Sequence, residues 1–158
     1  MNEVPLSLLF LLLLLLLALS AFFSGSETAL LTMNRYRLRH KAEQGHQGAR
    51  RARALLERPD RLIGLILLGN NFVNILASSV ATVIALRLGG EPAIGIAAGL
   101  LTLAVLIFSE VTPKTLATLH PERLAYPSAF IYGLLLKVLY PLVWLVSLFA
   151  SGLLRLLG

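Results

Sequence analysis

The sequence contains no cysteine and few charged residues. The absence of cysteine from all 158 residues excludes disulfides, thiolate metal sites and cysteine nucleophiles, and it leaves the redox compartment undetermined. Only 14% of the residues are charged, against about 25% in soluble domains, whereas 57% are hydrophobic and the mean hydropathy is +0.80. A soluble chain of this length could not bury so much apolar surface. The composition therefore predicts an integral membrane protein.

Motifs of soluble catalysis are also lacking. The sequence has no nucleophile with a nearby base, no glycine-rich phosphate loop and no metalloprotease motif, so we expect that the protein is not an enzyme. Its histidines (His40, His46 and His120) lie in polar surface segments, where solvation is the simplest interpretation.

The positive charge is concentrated in one stretch. Of the 14 Lys and Arg residues that give the net charge of +6, nine lie between Arg35 and Arg61, beside an apolar segment. This distribution is typical of a cytoplasmic loop and not of a nucleic-acid-binding surface, so we expect lipid and no nucleic acid as a partner. Because basic loops lie on the cytoplasmic side, the N-terminus is expected outside. We expect a multi-pass protein of the cell inner (plasma) membrane.

Long apolar runs predict an all-α membrane protein with three transmembrane helices, at about residues 5–33, 62–88 and 93–112. Residues 8–19 resemble a signal-peptide core, but no basic residue precedes them, so an uncleaved helix is favoured. The basic loop 34–61 is expected to form cytoplasmic helical structure with a break at 45–48.

The last part of the chain, 113–158, is predicted to form helices at the inner face of the membrane. Thr112 and Pro113 match an N-cap followed by proline at the first helical position, so a new helix should begin there. Beyond residue 126 we favour two helices bent at Pro141, because Lys137 and Tyr140 are typical interface anchors. The alternative is a fourth span.

Three of the apolar segments carry polar residues at membrane depth. Glu110 follows seventeen uncharged residues, 93–109. An acid costs at least about 2.5 kcal/mol to insert at a helix centre, so it is normally kept for a function. The other clusters are Ser-Gly-Ser-Glu at 24–27 and Gly-Asn-Asn-Phe-Val-Asn at 69–74, in which Asn70 and Asn74 share one helix face.

These clusters predict one oxygen-rich site for a hard cation, magnesium or calcium. Gly25 and Gly69 would let their helices unwind and free backbone carbonyls as ligands. Other interpretations stay open: Asn and Ser can simply cross-link helices, Glu27 can pair with Arg35 or Lys41 or cap a broken helix, and Lys114 can neutralise Glu110.

Small residues indicate where helices approach one another. Gly95 and Gly99 form a Gly-x-x-x-Gly pair, and Ala77, Ala81 and Ala85 repeat at every fourth position. Both patterns permit close packing, within the chain or in a dimer.

The order and spacing of three motifs resemble the transmembrane domain of the CorC / cyclin M (CNNM) family of magnesium transporters. The motifs are Phe-Ser-Gly-Ser-Glu-Thr-Ala at 23–29, Leu-Gly-Asn-Asn-Phe-Val-Asn at 68–74 and Ser-Glu-Val-Thr-Pro-Lys at 109–114, with the basic loop between the first two. With the order and spacing of the motifs and the basic loop, the resemblance extends over nearly the whole chain.

The resemblance implies a homodimer of three-helix protomers with a belt of juxtamembrane helices on the cytoplasmic side. It implies magnesium transport, as export driven by sodium entry, with Mg²⁺ as the transported ion and Na⁺ as the coupling ion. Carried over to this sequence, the ligand candidates are Ser24, Gly25, Ser26, Gly69, Asn70 and Glu110, with Asn74, Lys114 and Glu27 as possible accessory residues.

The family continues into cytoplasmic CBS modules that bind nucleotide. We expect this chain, which ends at Gly158, to be the membrane domain without those modules, so that ATP would act only through parts not in this sequence. Two other functions remain open: a magnesium sensor or scaffold that binds the ion without moving it, and a structural anchor whose polar residues only hold helices together.

Overall fold

A computed structural model describes residues 4–158, and every regular element within that range is helical, which confirms the all-α prediction. The elements in chain order are α1 (Leu6–Thr32), α2 (Arg35–Glu43), α3 (Gln47–Leu56), α4 (Pro59–Gly89), α5 (Pro92–Ala104), a π-helical segment (Val105–Val111), α6 (Thr112–Leu119) and α7 (Pro121–Leu157).

Four helices in the described range are long and apolar enough to cross a membrane. They are Leu6–Thr32, Pro59–Gly89, Pro92–Leu119 and Pro121–Leu157. Large apolar side chains such as Leu11 and Leu14 are 63% exposed on α1, as expected of a surface that faces lipid. Length and composition therefore allow four spans, one more than the predicted three.

The chain divides into two compact units. The first unit combines the chain up to Gly25 with Gly69–Thr115, and the second combines Ser26–Leu68 with Leu116–Gly158. Because α1, α4 and α6 each cross this division, both units contain a part of the same three helices.

The core of the first unit lies where α1 packs against α4. Leu9 and Leu16 of α1 are buried with Val73, Val80 and Ile84 of α4. The repeated alanines predicted to permit close packing (Ala77, Ala81 and Ala85) are all buried within the chain. Small side chains on α4 therefore let the leucines of α1 approach its backbone.

The basic loop forms two short helices, α2 and α3, in the second unit. Asn34 caps α2 by accepting a hydrogen bond from the backbone N of Arg37 at 3.2 Å, and the Nδ1 of His46 caps α3 by accepting from Ala49 at 3.0 Å. Between them Gly45 has φ +95°, a left-handed conformation that suits glycine.

The second unit is held together by contacts of α2 and α3 with α7. A Cβ on Gly48 would lie 2.8 Å from the Cβ of Tyr126, so glycine allows α3 to lie close against α7. Glu122 of α7 accepts from Lys41 at 2.9 Å and pairs with Arg37 at 3.0 Å. The Tyr126 ring also packs against His46, with centroids 4.8 Å apart.

An α-helix begins at Thr112, as predicted, but the predicted end of the preceding helix is absent, because the backbone is helical from Pro92 to Leu119. Thr112 has helical dihedrals, φ −65° and ψ −49°, and its backbone N–H bonds to the carbonyl of Ile107 five residues earlier. A proline inside an α-helix clashes with the carbonyl four residues before it. The wide π-helical turn immediately before Pro113 changes that spacing, so the helix continues through the proline.

The predicted break at Pro141 is also absent, because α7 is a single helix that contains Pro127 and Pro141. In an apolar environment, opening the backbone leaves several polar groups without partners, whereas an internal proline loses one hydrogen bond. Next to Pro127, the hydroxyl of Ser128 lies within hydrogen-bond distance of the carbonyls of Leu124 (2.5 Å) and Ala125 (3.0 Å) and can donate to either. Proline usually ends a helix, but neither Pro127 nor Pro141 ends α7.

Candidate cation site

The first unit brings Ser24 of α1 close to Glu110 of the π-helical segment. Ser24 is buried, and its Oγ lies 3.4 Å from the Oε2 of Glu110, to which it donates. At this distance the hydrogen bond is long and weak. Two of the predicted ligand residues, 86 positions apart in sequence, thus present their oxygens to each other.

Lys114 neutralises Glu110, as one of the alternative interpretations held. Its Nζ lies 3.0 Å from the same Oε2 atom, and the two residues are four positions apart. The side chains are 48% and 28% exposed, so the pair is not sealed from its surroundings. The Glu110 oxygen that faces Ser24 therefore already has a positively charged partner.

The π-helical segment is held against α1 by Ser109. Its side chain is fully buried, and its hydroxyl donates to the backbone carbonyl of Leu17 at 2.9 Å. Ser109 precedes Glu110, so this bond fixes the backbone next to the carboxylate. π-Helical turns occur frequently at functional sites, because the extra residue changes where the following side chains point.

Gly25 lies where α1 meets the chain around Pro113. A Cβ on Gly25 would lie 3.2 Å from the Cβ and 3.4 Å from the carbonyl oxygen of Pro113, which is tighter than ordinary contact. The absence of a side chain at residue 25 therefore lets Pro113 approach α1, one residue from Ser24.

Gly69 has an equivalent role beside Phe23. A Cβ on Gly69 would lie 2.6 Å from the Cζ and 2.7 Å from the Cε1 of the Phe23 ring. The ring packs on the bare backbone of α4, and a side chain there would need the ring to move. Both glycines sit inside uninterrupted helices, so the predicted unwinding at Gly25 and Gly69 does not occur in this conformation.

Ser20, which the sequence analysis missed, links the two predicted asparagines. Its buried Oγ lies 2.7 Å from the Oδ1 of Asn74 and 3.1 Å from the Oδ1 of Asn70. A serine hydroxyl carries one proton, so it can donate to only one amide oxygen at a time. Ser20 precedes Ser24 by four residues, and this spacing on one helix face was the signal available in the sequence.

Ser26 and Glu27 lie on the part of α1 that belongs to the second unit. The buried Ser26 hydroxyl forms a hydrogen bond with the hydroxyl of Tyr132, which is also fully buried. Glu27 is partly buried. The structure thus groups Ser24, Gly25, Gly69, Asn70, Asn74, Glu110 and Lys114 in the first unit, and Ser26 and Glu27 in the second.

The oxygen donors of the first unit are mostly neutral. Across residues 4–158 there is no group of three or more His, Cys, Asp or Glu side chains that could hold a metal ion. Ser24 and Glu110 offer a hydroxyl and a carboxylate at this position, and the amide oxygens of Asn70 and Asn74 lie in the same unit. Such a set suits a hard cation and is a poor match for zinc or copper.

Comparison with known proteins identifies the family. Residues 11–158 match the cyclin M transmembrane N-terminal domain. A UPF0053 protein of Haemophilus influenzae is 52% identical over 158 residues, covering 100% of this chain and 38% of that protein. The UPF0053 inner membrane protein YfjD of Escherichia coli is 53% identical over 140 residues, covering 89% of this chain and 33% of YfjD.

A more distant relative occurs in a plant. A putative DUF21 domain-containing chloroplastic protein of Arabidopsis thaliana is 35% identical over 141 residues, covering 89% of this chain and 21% of that protein. The chain therefore spans between about a fifth and two fifths of the length of these relatives. The family match covers nearly all of the sequence and confirms the resemblance seen in its three motifs: this multi-pass membrane chain belongs to the cyclin M transmembrane domain family.

Proposed function

We propose that this domain transports a hard divalent cation, magnesium, across the membrane. The observation that carries the proposal is the approach of Ser24 to Glu110 at 3.4 Å inside an apolar helical unit. A carboxylate in such a place is costly and is normally kept for a function. The amide oxygens of Asn70 and Asn74 add neutral donors in the same unit.

The geometry around Glu110 is compatible with this cargo. Two adjacent oxygens of an octahedral magnesium ion with bonds of 2.0–2.1 Å lie about 2.9 Å apart. The Ser24 and Glu110 oxygens, at 3.4 Å, need to close by roughly 0.5 Å, which side-chain rotation can supply. The carbonyls of Gly25 and Gly69, in the same unit, remain further ligand candidates.

Lys114 would act as the counter-ion of Glu110 before a cation binds. Its ammonium group occupies the carboxylate oxygen that the cargo needs, so a bound cation must displace it. When the cation leaves, Lys114 returns, and Glu110 is not left as an unpaired charge. This exchange would permit release as well as binding, which transport requires.

The π-helical segment would supply the conformational change. Conversion of a π-helical turn to an α-helical one shifts the following residues by one position, which is about 100° of rotation around the helix. Glu110 lies inside this segment, so the conversion would turn its carboxylate relative to α1. Alternating exposure of one site needs such a two-state element.

The active assembly would be a homodimer of three-span protomers with the N-terminus outside and α7 at the inner face. The basic residues between Arg35 and Arg61 support that orientation. The pair Gly95 and Gly99 supports the dimer, because an added Cβ at either glycine meets nothing within 4 Å among the described residues. Export, driven by sodium entry, is the direction that the family resemblance implies.

The test is magnesium flux in sealed proteoliposomes, with an internal magnesium-sensitive dye. The wild type should move magnesium, and Glu110→Gln, which keeps the side-chain size, should stop it. The matched control is Glu91→Gln, an exposed acid at the start of α5. Flux that is normal in Glu110→Gln would contradict the site. Binding of magnesium without any flux in the wild type would favour the sensor or scaffold alternative.

A further inference from the structure

The second unit contains a groove between α3, the start of α4 and α7. Its volume is about 350 Å³. Its lining combines basic and apolar side chains, and the lining residues are Arg51, Ala54, Leu55, Arg58, Arg61, Leu62, Ala129, Phe130, Gly133, Leu134, Leu136 and Lys137. We refer to these residues as the α3–α7 groove.

Two of its arginines are held in place by aromatic rings. The guanidinium of Arg51 lies over the Phe130 ring, 4.4 Å from the centroid. That of Arg61 lies 5.1 Å from the centroid of Tyr140, and its Nη2 donates to the Tyr140 hydroxyl at 3.2 Å. Cation–π contacts orient a guanidinium but leave its full charge.

The positive charge of the groove is only partly offset. Arg58 pairs with Asp60 at 3.5 Å, and both side chains are more than half exposed, so this contact is weak. In the described part of the chain, Arg51, Arg61 and Lys137 have no carboxylate within 4 Å. Three basic side chains of the groove are therefore available to an anion.

The other lining residues of the groove are mostly apolar. Leu55, Leu62 and Ala129 are buried, and Leu134 is 50% exposed. A soluble anion would gain nothing from these side chains. An amphiphile with a charged head and a hydrocarbon tail would use both the basic and the apolar lining residues.

The position of the groove along the chain fits the level of lipid headgroups. Arg58 and Arg61 flank the first residues of α4, a helix long and apolar enough to cross a membrane. Tyr140 is an aromatic residue of the kind that lies at the membrane interface. The groove is thus lined both by the basic loop and by the first residues of an apolar helix.

We infer that the α3–α7 groove binds the phosphate headgroup of an anionic phospholipid, with an acyl chain along Leu134. Guanidinium groups bind phosphate through paired N–H donors, and Arg51 and Arg61 are pre-positioned to do so. Basic pockets between membrane helices on the cytoplasmic side are suited to such headgroups. All lining residues of the groove belong to the second unit, and the inference does not depend on cation transport.

The experiment is thermal melting of the purified protein in neutral detergent, with short-chain phosphatidylglycerol or short-chain phosphatidylcholine added. Glycerol 3-phosphate is the soluble counterpart of the headgroup. The wild type should be stabilised by phosphatidylglycerol, much less by phosphatidylcholine, and not by glycerol 3-phosphate. This comparison needs no variant, so it tests the inference even if a substitution prevents folding.

Variants then locate the site. Arg51→Gln and Arg61→Gln should each weaken phosphatidylglycerol binding roughly fivefold, corresponding to about 1 kcal/mol per basic residue. The matched control is Arg155→Gln, an exposed arginine in the last turn of α7 that does not line the groove. Leu134→Ala should weaken binding of the lipid without changing its preference for the anionic headgroup.

Three results would overturn the inference. Stabilisation by phosphatidylcholine equal to that by phosphatidylglycerol would show that the negative charge of the headgroup is not recognised. Stabilisation by glycerol 3-phosphate that matches phosphatidylglycerol would identify a soluble phosphate ester as the ligand instead. An equal loss in Arg155→Gln would mean that surface charge in general, and not this groove, attracts the lipid.

Discussion

The ammonium nitrogen of Lys114 lies 3.0 Å from the Oε2 of Glu110, and the hydroxyl of Ser24 lies 3.4 Å from the same oxygen. A lysine and a candidate ligand therefore share one carboxylate oxygen. In the proposed function, a divalent cation competes with Lys114 for this position.

Replacing Lys114 with methionine should raise the magnesium affinity. The pair is partly exposed, and such ion pairs contribute about 0.2–1 kcal/mol. Removing this competitor should therefore lower the dissociation constant by a factor of between about 1.4 and about 5. Isothermal titration with magnesium measures the change, and Lys114→Arg, which keeps the charge, serves as the control. A weaker affinity in Lys114→Met would mean that Lys114 assists the cation.

Ser20→Ala should weaken the asparagine pair. The buried hydroxyl lies within 3.1 Å of both amide oxygens, and loss of one hydrogen bond at a buried group costs about 1 kcal/mol. Asn70 would also lose a contact that positions its side chain, so magnesium stabilisation should fall. Thermal melting with and without magnesium measures both effects.

The control for this substitution is Ser78→Ala. Ser78 follows Asn74 by four residues on the same face of α4, but its side chain is exposed. Its removal should change neither stability nor the response to magnesium. Equal effects of the two substitutions would assign Ser20 no special role.

Several of these relationships follow from the sequence. The spacing of Asn70 and Asn74 predicts a shared face, and the spacing of Glu110 and Lys114 suggests an ion pair, because both depend only on helix periodicity. The family motifs also indicate which three segments contribute to one site. Local spacing does not give the distance between α1 and the π-helical segment, which depends on the packing of Ser109 against Leu17.

Other features could not be predicted from local sequence patterns. Thr112 and Pro113 form a good helix start in isolation, but a π-helical turn lets the helix continue. Pro141 is likewise accommodated inside α7. In both cases the apolar surroundings favour an unbroken backbone over the proline rule. Ser20 was missed because it lies before the motif at 23–29, at the end of a leucine-rich run, although it is one helical turn from Ser24.

Gly69→Ala should destabilise the fold. The added Cβ would lie 2.6 Å from the ring of Phe23, and such overpacking costs about 1–3 kcal/mol. Phe23→Leu in the same protein should recover most of the loss by removing the ring. The free energies of unfolding of the wild type, the two single variants and the double variant give the coupling energy between residues 69 and 23.

Gly152→Ala is the matched control, because a Cβ at residue 152 meets nothing within 4 Å in the part of the chain that the structure describes. Its stability should equal that of the wild type. A cost for Gly69→Ala no larger than that for Gly152→Ala would contradict the close contact with Phe23.

Gly95→Leu and Gly99→Leu should disrupt the proposed dimer while leaving the protomer folded. Apart from its chain neighbours and the backbone of its own helix, an added Cβ at either residue meets no described atom within 4 Å, so the rest of the protomer leaves room for a side chain. A dimer packed through this Gly-x-x-x-Gly pair has no such room, because close backbone approach needs small residues. Light scattering in detergent measures the mass, and an unchanged dimer in both variants would place the interface elsewhere.

The most direct test of the central claim is magnesium-dependent thermal stabilisation of the wild type beside Glu110→Gln. Magnesium at 100 times its dissociation constant should stabilise the wild type by about 2.7 kcal/mol, and Glu110→Gln should lose most of this stabilisation while remaining folded. Glu91→Gln should behave like the wild type. Equal stabilisation of Glu110→Gln, or none in the wild type, would contradict a cation site built on Glu110.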